Sequence, residues 1–238
     1  MKMLICFFVA MILHAPFEKA YGEEQENSAR LLTIYAVSIP GVHQQDKKGS
    51  YDTAILEAAS QFSNPVKLQV WPPRRTFQAF ADCENCCLTP ASDNPQFVVF
   101  PDVSVSKPIQ QARLVIFTKY GSKPITSVEE LSGLTVSRRH GISYSKNLQR
   151  ADINFIFAAD LKGSIKMLEQ GRTDAFVAFV PDAYKTFEKL GMEPLVHDVE
   201  SPIAVHEDSL ICRGTVGKAF VAAFDSYMDR QQSSPSTE

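Results

Sequence analysis

Ser127-Val-Glu-Glu-Leu-Ser-Gly-Leu-Thr-Val-Ser-Arg-Arg-His-Gly-Ile-Ser143 is the stretch that decides the fold. Ser127 followed three residues later by Glu130 forms a capping box, in which hydroxyl and carboxylate satisfy each other's backbone N–H groups and start a helix. Gly133 ends that helix, because glycine takes the left-handed conformation of a helix terminus without a Cβ clash. Leu134 to Ser137 reads as a strand, and Gly141 precedes a second predicted helix, Ser143 to Gln149. Helix, strand and helix follow one another within this one segment, as they do in an α/β layer.

The alternation continues upstream. Leu31 to Val37 is short, apolar and β-prone. Tyr51 to Phe62 places Ile55, Leu56, Ala59 and Phe62 on one helical face, and Val66 to Trp71 alternates like a half-buried strand. Pro72-Pro73 opens a predicted helix, Arg74 to Ala81, since proline is tolerated in a first turn. Leu88 to Pro95 reads as a loop; Phe97 to Phe100 and Ala112 to Lys119 read as strands. Downstream, Asn154 to Ala158 is a predicted strand, and Asp160 caps a helix, Leu161 to Gln170, that Gly171 ends. Ala175 to Phe179 is a strand, Asp182 to Leu190 a helix, Pro194 to Val199 and Ile203 to Cys212 strand segments, and Val216 to Met228 a last amphipathic helix before a polar tail.

Two such series, joined near 104–112 and recrossing near 199–204, predict an α/β protein of two lobes with two hinge crossings. Each lobe is a mainly parallel sheet flanked by helices. Residues 23–108 with 202–238 make the first lobe and 109–201 the second. On such sheets ligands bind beyond the carboxyl ends of the strands, and in two lobes those ends can face one cleft.

Met1-Lys2, an apolar run from Met3 to Ala15 and small residues at Ala20-Tyr21-Gly22 have the pattern of a secretory signal peptide, residues 1–22. The apolar run is short for a bilayer span, so a soluble periplasmic protein is expected. A formal net charge of −3 gives no electrostatic footprint for nucleic acid. Past the signal segment stand Cys83, Cys86, Cys87 and Cys212, which an oxidising compartment pairs as disulfides. Four cysteines allow three full pairings, and the sequence does not choose among them. A zinc site finds little support, with no second CxxC and scattered histidines.

In order and spacing, three segments resemble the type II periplasmic solute-binding proteins, close to the family serving amino-acid ABC transporters (bacterial extracellular solute-binding protein family 3). They are the opening stretch, Ser164-Ile-Lys-Met-Leu-Glu-Gln-Gly-Arg-Thr-Asp-Ala175, and Trp71-Pro-Pro-Arg-Arg-Thr-Phe77. The resemblance implies a monomeric bilobal protein that closes on a small solute by a hinge motion. Its partner would be a membrane permease or a sensor that reads the closed form. Two departures matter. Amino-acid binders of this family carry an arginine in the loop after the third strand, where this chain has Thr89-Pro-Ala-Ser-Asp-Asn94. They also place an acid at the end of the strand after Gly-Arg-x-Asp, where this chain has Phe179, with Asp182 nearby. Without that clamp and ammonium partner an amino-acid ligand is not expected.

Several residues are candidates for the site, each with a plainer structural alternative. Gly141 and Ser143, at a predicted helix start, offer N–H groups and a hydroxyl to an anion, or simply cap the helix. Arg74 and Arg75 suit an anionic group, or sit on the surface; Trp71 is an apolar wall or a core plug. Tyr35, Tyr51 and Tyr144 combine ring and hydroxyl, or merely pack. Asp93 and Asn94 bind ligand or form a turn. Arg138, in a basic triplet with Arg139 and His140, lines an anion-attracting cleft or an exposed strand end. Asp182 stands beside the family's acid position. No GxSxG, HExxH or GxxxxGK[ST] occurs, and nothing calls for a cofactor or a metal. The leading expectation is capture of a small polar, in view of these arginines anionic, solute. The alternatives are a dehydratase-like enzyme using Asp93, Asp182 or His140, and an interaction protein without a ligand.

Overall fold

Side chains of Leu-Thr-Ile-Tyr-Ala-Val alternate between buried and half-buried, which makes β1 (Leu32–Val37) a strand with one face in a core. The computed structural model describes residues 31–45, 48–180 and 182–233. The expected signal peptide, 1–22, and the tail from 234 lie outside these residues. After β1 come α1 (Ser50–Ser60), β2 (Val66–Trp71), α2 (Pro73–Ala81), β3 (Cys86–Ala91), β4 (Ser104–Val105) and β5 (Gln110–Phe117). Then follow β6 (Thr135–Arg139), β7 (Asn154–Ala158), α3 (Leu161–Glu169), β8 (Ala175–Val180), α4 (Asp182–Leu190), β9 (Ala204–Cys212) and α5 (Gly214–Ser233). No helix among the described residues is long and apolar enough to cross a membrane.

The strands run in the order β2-β1-β3-β9-β5-β8-β6-β7, with β4 on β9. One half is parallel through β2, β1 and β3, and the other through β7, β6 and β8. The strand β9 serves both halves. Its first residues, Ala204 to Asp208, pair antiparallel with β5, and Ser209 to Cys212 pair with β3 and β4. The chain returns beside it, where Ile109 N–H donates to the Asp208 carbonyl (2.7 Å). These two neighbouring passages join a sheet buried by α1 and α5, around Ile34, Ile55, Phe220 and Phe224, to one built around Phe117, Phe176 and Phe187.

The capping box forms as expected, with Glu130 accepting from Ser127 N (3.0 Å) and Ser127 Oγ from Glu130 N (3.4 Å), although it starts only a 3₁₀ turn, Glu129–Leu131. Asp160 accepts from Gly163 N (2.7 Å) and caps α3. Four expectations fail. The predicted loop at Leu88 is strand β3, because side chains buried on both faces leave no alternation to read. Phe97 to Phe100 forms no strand; Phe97 is buried while Val98 and Val99 are 52% and 46% exposed. Ser143 to Gln149 yields only a 3₁₀ turn at Lys146–Leu148, capped by Ser145, whose Oγ accepts from Asn147 N (3.3 Å). Pro194 to Val199 keeps only the bridge between Val196 and Thr118. The cysteines pair as Cys83–Cys86 and Cys87–Cys212.

A buried polar group ties α1 to β3. His43 Nδ1 lies 2.6 Å from Asp52 Oδ1 and its Nε2 3.3 Å from Thr89 Oγ1, while Gly49 N donates to Asp52 Oδ2 (2.6 Å). Burial opposes ionisation of Asp52, but the hydrogen bonds from His43 and Gly49 outweigh it and hold the carboxyl below its ordinary value. A lowered folded pKa stabilises above the unfolded value and loses that contribution as pH falls through the folded one. Asp52→Asn is therefore expected to cost about 2 kcal/mol at pH 7 and progressively less below pH 3.8, read as the difference in urea midpoints.

Candidate functional site

The carboxyl ends of β1 and β3 face those of β6 and β8, and between them lies a cavity of about 460 Å³. Its walls are aromatic. Phe97 and Phe179 stand 6.2 Å apart, His206 lies 4.6 Å from Phe97, and Tyr144 stacks on Phe179 at 5.8 Å. On the side of the first half, Phe77 and Phe100 stack at 6.5 Å.

Charge enters from three elements, β6, β9 and α4. Arg139, the last residue of β6, donates from Nη2 to the Ser38 carbonyl (3.0 Å) beyond the end of β1, and its buried Nε has no hydrogen-bond partner among the described residues. Asp208 of β9 lies 2.6 Å from His206 Nδ1 through one oxygen and accepts from Tyr51 OH (2.6 Å) through the other. Burial, and then the charge of Asp208, push the Tyr51 phenol upward. Tyr144 OH accepts from Arg139 N (3.1 Å), and burial raises that phenol too. Asp182 opens α4 from the second half. Burial first and the Asp208 charge second push its carboxyl up to about 7, against the pull of its own and the Ala183 backbone N–H groups and of Arg139.

Contacts from both halves shut the cavity. Besides Arg139 on Ser38, Val98 N donates to Ser143 Oγ (3.3 Å), Lys146 N to the Gln96 carbonyl (2.8 Å) and Lys189 Nζ to Gln44 Oε1 (3.3 Å).

Of the residues expected at a site, Ser143, Tyr144 and Asp182 line this cavity. Tyr51 supports it from behind through Asp208. The others fall outside its lining. Tyr35 packs against Trp71 at 5.3 Å, and the Arg75 guanidinium covers that indole at 3.9 Å; Arg74 is exposed. Asp93 is exposed, and Asn94 makes a turn, accepting from Gln96 N (2.9 Å). Gly141 turns the chain at φ 79° beside Pro73, with no helix behind it to bind an anion. Arg138 lies over Phe155 and Phe157 at 4.3 and 5.0 Å, because successive side chains of a strand point to opposite faces and Arg139 takes the cavity side. The arginines behind the anionic expectation, Arg74, Arg75 and Arg138, are thus not brought together. Arg139, His206, Asp208, Phe97 and Phe179 line the cavity as well, and of these only Arg139, through its basic triplet, was among the expected cleft groups. A further local signal is His206-x-Asp208, two polar residues on one face of β9.

The sequence matches no family model and no curated protein. Solved structures do resemble the chain. Holo ArgBP from T. maritima superposes at a TM-score of 0.65 with 16% identity, over 89% of this chain and 95% of that one. The GluR0 ligand-binding core from Nostoc punctiforme in complex with (L)-glutamate gives 0.66 and 18%, over 84% and 93%. An ABC uptake transporter substrate binding protein from Streptococcus pneumoniae with bound histidine gives 0.62 and 14%, over 89% and 91%. At such identities the likeness establishes the fold, and this chain has the fold of the type II periplasmic binding proteins.

Proposed function

We propose that the chain is an exported solute-binding protein whose two lobes, 23–108 with 202–238 and 109–201, close on one small polar molecule. A membrane permease of the ABC type, or a sensor, would read the closed form. The observation that carries this reading is the cavity at the strand ends, shut by contacts from both halves and lined by rings and charged groups together. Such a mixture of apolar wall and few placed polar groups is what a small-molecule site needs. Neighbours on the fold that hold glutamate and histidine support it.

A thermal-shift screen of residues 23–238 tests the proposal. A ligand at 100 times its dissociation constant is expected to add about 2.7 kcal/mol of stability. Silence across amino acids, amines, organic acids, sugars and phosphonates would refute it.

One observation favours an enzyme as the second reading. A carboxyl that burial and a neighbouring aspartate push up to about 7 in a cavity is suited to general acid–base work, and Asp182 is such a group. Asp93 and His140, the other acid–base candidates, are exposed and line no part of the cavity. Recovery of a bound ligand chemically unchanged after prolonged incubation separates a receptor from an enzyme.

A further inference from the structure

The charges inside the cavity do not balance. One guanidinium, Arg139, faces two carboxylates, Asp182 and Asp208. Asp208 has both oxygens engaged, by His206 and Tyr51, whereas among the described residues no side-chain hydrogen bond to Asp182 is formed. The lysines that reach the cavity, Lys162 and Lys189, are exposed at its rim, where salt screens them, and Lys189 is held by Gln44. Asp160, also at the rim, is occupied in capping α3. The interior therefore sets a carboxylate without a side-chain hydrogen bond in the same cavity as the rings of Phe97, Phe179 and Tyr144, and ring faces attract cations.

We infer that the cavity takes a small organic monocation, a protonated amine on an apolar or aromatic body, with the Asp182 carboxylate as its counter-charge. This rests on the capture reading above and replaces the anionic solute expected from the arginines. It also couples capture to protons. Below neutrality the empty cavity holds Asp182 protonated, so an arriving ammonium expels that proton. The groups facing Asp182 are Asp208 and His206 of β9, Arg139 of β6, and the phenols of Tyr51 and Tyr144. Lys185 and Lys189 lie further along its own helix. A variant at Asp182 isolates the contribution of that carboxyl.

Isothermal titration with matched probes tests the inference: phenethylamine, tryptamine and tetramethylammonium against phenylacetate, indole acetate and the amino acids phenylalanine and tryptophan. At pH 8 an amine is expected to bind and its matched carboxylate to bind at least about tenfold more weakly. Below pH 7 the amine's affinity should fall by up to about tenfold per pH unit, with close to one proton released at pH 6, measured in two buffers of different ionisation heat. Asp182→Asn should weaken the amine at pH 8 by about tenfold or more and flatten the profile. Carboxylates or amino acids binding while amines stay silent would overturn the monocation and leave the capture reading standing. An amine whose binding is unchanged in Asp182→Asn would overturn the role of Asp182. Silence of every probe would overturn the monocation, and silence of the broader thermal-shift screen would remove the capture reading with it.

Discussion

Replacing Cys87 and Cys212 together by alanine is expected to lower the unfolding free energy by about 5 kcal/mol, a large part of what a domain of this size possesses. The bond joins residues 125 apart in sequence, so cutting it returns the entropy of a long closed loop to the unfolded chain. It also joins directly paired residues of β3 and β9, both in the core. Removing Cys83 and Cys86 instead opens a loop of separation 3 and should cost only about 2 kcal/mol. Urea denaturation of the two double variants checks the ranking, and equal losses would show that loop length is not what matters. The longer bond has a functional side. It fixes the end of β9 to the first half of the molecule just beyond Asp208, so any hinge bending falls on the stretch of β9 that pairs with β5.

Asp182→Asn is expected to stabilise the empty protein above pH 7 by about 2 to 3 kcal/mol and to change nothing below pH 4. The folded carboxyl sits at about 7 against an ordinary 3.8. A raised folded pKa means that the folded state holds the proton longer. The advantage is complete below the unfolded value and is lost as pH rises through the folded one. A span of that size corresponds to about 4 kcal/mol at full ionisation, and water in the adjoining cavity screens part of it. Asparagine keeps the shape and removes the charge. Thermal unfolding of both proteins at pH 4, 6 and 8 gives the test, and an offset independent of pH would show that burial of this carboxylate is not the cause. A protein gains nothing in stability from such a group, so its position in the cavity argues for use there, in the usual opposition between stability and function.

The helix and strand sequence was legible because it depends on neighbours along the chain. The Ser127–Glu130 box, the Asp160 cap and the apolar face of α1 involve groups three or four residues apart, and each forms. Where burial removed periodicity, as in β3, local reading failed.

The site is a different case. That Arg138 and Arg139 point to opposite faces follows from the two-residue period of a strand; which of them meets the cleft depends on Ser38, 101 residues away. Tyr51 finds Asp208 across 157 residues. Asp182 owes its raised pKa to burial and to an aspartate on another strand. Sequence by itself determined the order of the elements, and so the two parallel layers whose strand ends can face each other. Tertiary structure alone decided which charges share the cavity and which sulfurs bond, because Coulomb interaction and disulfide geometry depend on distance in space, and spacing along the chain does not record it.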